Sequence, residues 1–272
     1  MKHILTAHRE SEAKAKDTKC IPTNTKLDLV IRGIEPESLW TITGISGSGK
    51  SSLVNWIETE ASREISVLTF SMEMSAKAQW SRKMKYLDSI NVNIKESEVS
   101  RLDSADIWYI EDMCTIKQIK EIAESFISER IGKKILIIID HLLLLNEKEE
   151  RIGIAELEKV LVKLKKNKGV SIIQVAQMNR NIENIERIKN PQFHFPQRSD
   201  ISTADTIFHA SDLVLVVHRP EIIGIIAYGM NMLPTKDTIY IHIIKNREGD
   251  QHIITLKNKL NTQDWSYSLI NN

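Results

Sequence analysis

The sequence predicts an α/β protein with a mostly parallel, twisted sheet covered by helices on both faces, and three observations carry that prediction. Apolar runs of strand length at residues 65–70, 134–140, 171–176 and 213–217 alternate with segments of helical periodicity, the pattern of βαβ units. The runs are dense in Ile, Val and Leu, as expected of strands buried on both faces. The third observation is Thr41-Ile-Thr-Gly-Ile-Ser-Gly-Ser-Gly-Lys-Ser-Ser52, an apolar run that passes through glycines into a helical segment.

In chain order, residues 1–20 are rich in Lys, Glu and Ala and predict a tail or linker, with one domain from residue 21 to 272. Pro22, Gly33 and Pro36 punctuate an approach loop over 21–38. Within it Thr25-Lys-Leu-Asp28 spells a guanine-recognition pattern, but it precedes the glycine-rich loop where it should follow, so it is read as chance. Residues 51–63 predict a helix with Leu53, Val54 and Ile57 on one face, and Ser75 starts another. A short apolar stretch at 107–110 follows. Thr115 and Gln118 then form a capping box for a helix to about Arg130. Ile154, Leu157, Val160, Leu161 and Leu164 mark a helix that ends at Gly169. Two β-rich runs over 238–256 flank Arg247-Glu-Gly-Asp250 and predict a hairpin at the sheet edge.

Composition excludes several classes. A net charge of +1 means that any nucleic-acid contact is a local patch. Cys20 and Cys114 have neither metal-ligand spacing nor a disulfide framework, which fits a reducing compartment. No signal peptide or membrane span is apparent, so a cytoplasmic location is expected, the host cytoplasm if the source is a phage.

Gly44, Gly49, Lys50 and Ser51 satisfy G-x-x-x-x-G-K-[ST], the phosphate-binding loop. Glycines let the backbone curl so that the N–H groups of Gly44, Ile45, Ser46, Gly47, Ser48, Gly49 and the residues through Ser52 can face phosphate oxygens. The following helix points its positive end at the same place. Lys50 is expected to reach the β- and γ-phosphates of ATP, and Ser51 to hold Mg2+. Asp140 ends an apolar strand, where a carboxylate has no packing reason to be, and is expected to serve the same metal. Glu73 and Gln177 follow two other strands. In doubly wound sheets ligands gather at the carboxyl ends of strands, so Glu73 is expected to orient water as a general base and Gln177 to contact the γ-phosphate.

Here a family resemblance becomes specific. Phe70-Ser-Met-Glu-Met-Ser75 with Gln79 and Arg82 resembles the segment after the phosphate loop in DnaB-type replicative helicases. Ile137-Ile-Ile-Asp-His-Leu-Leu-Leu144 resembles their second motif and Gln177-Met-Asn-Arg180 their third. Ser199-Asp-Ile and Ser211-Asp212 through Pro220 are similar to the fourth, and Ile244-Lys-Asn-Arg-Glu-Gly249 to the basic hairpin near their C-terminus. The resemblance implies a RecA-like motor domain that assembles into a ring, expected to be hexameric, and hydrolyses ATP while moving on single-stranded DNA in replication. It covers no separate N-terminal or primase domain, so a bare motor from a phage or plasmid is expected. A primase or loader is a further partner it implies. Glu73 is then the catalytic base, Asp140 the magnesium-associated acid and Gln177 the γ-phosphate sensor, with Arg219 against the nucleobase. Lys245 and Arg247 are fingers lent to the neighbouring subunit's site. Loops at 145–153 and about 180–206 are expected to face DNA. The second supplies Arg180, Arg187, Lys189, His194 and Arg198, whereas the first is acidic on balance. Ser202 stands where the family has a DNA-contacting arginine. A recombinase or helicase-loading ATPase, a small-molecule kinase and a catalytically silent ring subunit stay open as alternatives.

Overall fold

The computed structural model describes residues 19–142, 150–202 and 204–267. The chain enters through α1 (Asp28–Ile31), β1 (Leu39–Thr43) and α2 (Lys50–Ala61), then β2 (Ser66–Ser71), α3 (Ala76–Leu87) and α4 (Val92–Asp103). There follow β3 (Ile107–Ile110), α5 (Ile116–Ser128), β4 (Ile135–Asp140), α6 (Glu150–Lys168) and β5 (Ser171–Val175). After short turns come α7 (Ile185–Lys189), α8 (Ala204–Ala210), β6 (Leu213–His218), β7 (Ala227–Tyr228), β8 (Leu233–Pro234), β9 (Thr238–Asn246) and β10 (His252–Lys257).

Eight strands form one sheet in the order β10-β9-β6-β1-β5-β4-β2-β3. Six are parallel, and β9 and β10 add antiparallel at one edge as the expected hairpin. Every residue of β1, β2, β4, β5 and β6 is buried, which is why these strands read as unbroken apolar runs. Two large apolar clusters flank the sheet, one around Leu53, Ile57 and Trp40, the other around Ile119, Leu157 and Leu161. The Thr115–Gln118 capping box is present, and Gly169 takes the left-handed conformation at φ 68° that ends α6.

Four expectations need correction or refinement. The approach segment contains α1, and both carboxylate oxygens of Asp28 accept from Thr23 and Asn24. Helix α4 has no counterpart in the sequence reading, because it buries only Leu102 and carries no strong apolar stripe. Of the second DNA-facing segment, residues 180–202 are not an open loop: they fold into Arg180–Glu183, α7, Pro191–Phe193 and Arg198–Asp200 turns, with Ile188 and Phe195 packed against Tyr228 and Leu233 of the small β7–β8 ribbon. The first DNA-facing segment, 145–153, lies outside the described residues up to 149, and its remainder begins α6.

Candidate functional site

Register brings the polar rim together. Ser71 of β2 lies beside Asp140 of β4, and the Met72 N–H donates to the Asp140 carbonyl at 3.0 Å. The Ala176 N–H donates to the Ile42 carbonyl, and the Met178 N–H to that of Gly44. The carboxyl ends of β1, β2, β4 and β5 therefore finish on one rim around a cavity of about 280 Å3, which is lined by Ser46, Lys50, Ser51, Glu73 and Gln177 among others.

The loop that opens the cavity depends on glycine at two positions. A Cβ on Gly44 would stand 2.3 Å from the Val217 carbonyl oxygen, and Gly49, at φ 106°, leaves 3.0 Å to Leu260. Lys50 Nζ donates to the Ile45 carbonyl at 2.8 Å. Burial pulls its pKa down, while Asp140 and Glu73 oppose that shift. Asp140 is 2% exposed, and burial, reinforced by Glu73, raises its pKa despite a hydrogen bond from Ser51. Among the described residues its Oδ1 is buried without a partner, as are Ser48 Oγ and Arg82 Nη1. Buried polar atoms are ordinarily satisfied, so this set fits a charged guest: Ser51 and Asp140 have the oxygen donors that a magnesium ion takes.

Glu73 sits two residues beyond β2 in a turn held by α3. Ser71 Oγ donates to the Met74 carbonyl at 2.6 Å and accepts from Gln79 Nε2 at 3.0 Å. Gln79 in turn is fixed by Asn55 of α2. Arg219 follows β6, and its Nη1 donates to the Gly47 carbonyl at 3.1 Å, which places it against the phosphate loop. Sequence reasoning assigned no role to four residues lining the cavity, Arg82, His141, Leu260 and Gln263. Arg82 and His141 stand inside the quoted motifs and were open to notice. Leu260 and Gln263 arrive from the far end of the chain, where Trp265 donates to Ser52 Oγ at 2.9 Å.

Lys245 and Arg247 lie elsewhere. In the antiparallel pairing of β9 with β6, Lys245 is level with Val214, at the amino end of β6, whereas the phosphate loop lies at the carboxyl ends. Five strand residues at about 3.3 Å each put roughly 16 Å between the two rims, so these cations do not serve their own chain's cavity. Arg247 donates to Asp212 at 2.8 Å and to the His209 carbonyl at 2.9 Å, and Lys245 donates to the Phe208 carbonyl.

Two residues expected to face DNA are corrected. Arg187 makes a bidentate pair with the fully buried Asp200, at 2.6 and 2.7 Å, and also donates to the Phe193 and Phe195 carbonyls. With four of its five N–H groups engaged, this guanidinium is a strut. His194 is buried, with one ring nitrogen accepting from the Gly229 N–H and the other bonded to the Ile188 carbonyl, so both ring nitrogens are spent inside the fold. Arg180 and Lys189 are exposed, and Arg198 is exposed but paired with Asp205. Among the described residues no helix is long and apolar enough to cross a membrane.

The sheet order, the phosphate loop at its centre and the acidic and amide residues on one rim define a nucleotide-binding ATPase domain of the RecA type. Residues 21–266 match the model of the DnaB-like helicase C-terminal domain, and the chain belongs to that family. Replicative DNA helicase DnaB of Helicobacter pylori (strain 26695) is 30% identical over 222 residues, covering 73% of this chain and 43% of the relative. That of Pasteurella multocida is 25% identical over 218 residues, covering 72% and 45%. The chain thus spans under half the length of these relatives. One solved ATPase domain superposes with a TM-score of 0.79 at 17% identity, covering 97% of this chain and 96% of that one. A DnaB-like replicative helicase solved in a study of its interactions with primase gives 0.79 at 17%, covering 97% and 65%. At those identities the likeness shows the fold.

Proposed function

We propose that this chain is the ATP-hydrolysing motor of a ring-forming DNA helicase, expected to be hexameric, that translocates on single-stranded DNA during replication. The observation that carries it is the split of the machinery between two rims. Lys50, Ser51, Glu73 and Gln177 surround one cavity, with Asp140 buried beside Ser51, while the basic hairpin stands at the opposite end of the sheet. In a head-to-tail ring each hairpin meets the next subunit's cavity, and rotation closes the ring.

In this mechanism Glu73 takes a proton from a water whose oxygen bonds to the γ-phosphorus. The bond from that phosphorus to the β–γ bridging oxygen breaks, and ADP leaves with the negative charge. Lys50 and the loop N–H groups hold the β- and γ-oxygens, and Lys245 and Arg247 of a neighbouring copy neutralise the charge that develops. Gln177 contacts the γ-phosphate and passes its loss to the segment that follows β5. Magnesium, held through Ser51 and Asp140, supplies charge neutralisation when bound. Arg219 stacks on the nucleobase. Arg180, Lys189 and Arg198 are the DNA-facing set, and a primase or loader is a further partner.

Mass measurement with and without ATP analogue and single-stranded DNA, coupled to ATP turnover, tests the proposal. A ring whose turnover rises with DNA is expected. A monomer hydrolysing at the same rate with or without DNA would contradict it. A helicase-loading ATPase would share the site, and strand displacement on a forked duplex separates the two.

A further inference from the structure

The short helix α8 carries two groups that belong to different parts of the proposed machine. Its last carbonyls have no partners within the helix, and the finger cations occupy them: Lys245 Nζ donates to the Phe208 carbonyl and lies 3.5 Å from that of His209, which also accepts from Arg247. A bulge in the β6–β9 ladder opposite Val214 and Leu215 falls next to Lys245, and such bulges re-aim side chains. Lys245 Nζ then sits 4.9 Å from the centre of the half-buried Phe208 ring. Arg198, from the segment that follows Gln177, lies 4.8 Å from the centre of the same ring and is tied to Asp205 and His209 of the same helix. One aromatic side chain therefore carries two cations, one from each part of the machine. Burial and the nearby Arg247, Arg198 and Lys165 all push the Lys245 pKa down, against Asp212, so the cluster is rich in positive charge and sensitive to where each cation rests.

We propose that Phe208 is a positioning residue that seats the Lys245 finger and the DNA-side Arg198 on one ring, so that DNA engagement at Arg198 changes how the finger is presented to the neighbouring site. This rests on the reading of Lys245 and Arg247 as fingers acting between subunits. Drawing Arg198 onto a phosphate removes one cation from the ring and from the vicinity of Lys245, which favours a charged, ordered ammonium. The signal travels through a single side chain, without a rearrangement of the sheet.

The test compares full-length Phe208→Leu, Phe208→Met and Phe208→Tyr for assembly mass, melting temperature, and kcat and KM for ATP with and without single-stranded DNA. Loss of the ring is expected to cut the ratio of DNA-stimulated to basal kcat at least threefold in the Leu and Met variants. KM and assembly are expected to stay unchanged, and Tyr, which keeps the ring, to retain the wild-type ratio. A wild-type ratio in either Leu or Met overturns the proposal, and so does a Tyr variant as impaired as both. A wild-type protein that DNA does not stimulate, or whose turnover survives loss of Lys245 and Arg247, overturns the motor reading itself and takes this proposal with it. That failure is recognised without any Phe208 variant.

Discussion

The nucleotide rim and the segment between Gln177 and Asp237 use polar residues in opposite ways. On the rim, Asp140, Ser48 and Arg82 keep buried polar atoms without partners, a state that is costly unless a guest completes it. In the second region most of the comparable groups are closed. Arg187 makes a bidentate pair with Asp200, His194 is bonded through both nitrogens, and the Tyr228 hydroxyl meets His242 of β9 at 2.8 Å. Unfinished hydrogen bonding thus gathers at the cavity, with further open atoms on Glu158, Gln174 and His218 inside the fold, and finished bonding marks the frame around Arg187 and His194.

The widest separation between the regions is expected from Glu73→Gln. ATP turnover should fall about 10²–10⁴-fold, the usual worth of a general base, with nucleotide binding and melting temperature near wild type. Turnover kept at the wild-type rate would remove Glu73 from its role. Arg187→Ala should act in the reverse sense, through stability. Breaking a buried pair leaves the Asp200 carboxylate uncompensated, at about 3–5 kcal/mol, visible as a lower denaturant midpoint. An Arg187→Ala protein of unchanged stability but weaker DNA binding would return that residue to the DNA-facing set.

Buried histidines and a buried carboxylate elsewhere in the fold should answer pH with opposite sign. Burial holds His242 down at about 3 and His218 well below its ordinary 6.5. The unfolded chain therefore binds protons that the folded one does not, and stability should be lost as pH falls from 6.5 towards 3. Glu158, buried beneath β1 and β5, is raised to about 8 from 4.5. Its folded form keeps a proton the unfolded one has released, so its contribution is lost as pH rises through that window. Each group supplies roughly 1.4 kcal/mol per pH unit. Denaturation of Glu158→Gln and His242→Phe beside wild type between pH 5 and 8 checks both signs. The Gln variant should gain relative to wild type with rising pH, and the Phe variant with falling pH. Lys189→Ala should give the smallest effect: unchanged stability and a slope of log affinity for single-stranded DNA against log salt shallower by about 0.7.

Legibility in the sequence followed the range of the interactions. Asp140, Glu73 and Gln177 were readable because each stands at or just past a strand end, and Lys50 and Ser51 because they open the helix after the glycine-rich loop, so the residue order alone fixes their positions on the rim. Gly44 and Gly49 were readable for the same reason. The hairpin was evident from its turn, but its distance from the phosphate loop follows from the β6–β9 register, which no local pattern encodes. Arg187 and His194 misled because a basic side chain reads the same whether solvated or paired, and their partners Asp200 and Gly229 are 13 and 35 residues away. Leu260 and Gln263 approach the cavity only through the tertiary path of the C-terminal segment.

The central claim, that hydrolysis needs cations from a neighbouring copy, is tested most directly by mixing two inactive variants. Glu73→Gln lacks the base, and the double variant Lys245→Ala/Arg247→Ala lacks the fingers. If the site is shared between subunits, each alone should turn over ATP at least 100-fold more slowly than wild type, the lower end for a general base or a lost charge clamp. An equimolar mixture should recover about a quarter of the wild-type rate, because random assembly in a ring pairs an intact base with intact fingers at one interface in four. Wild-type turnover in the double variant, or no recovery in a mixture shown by mass to have assembled together, would contradict the claim.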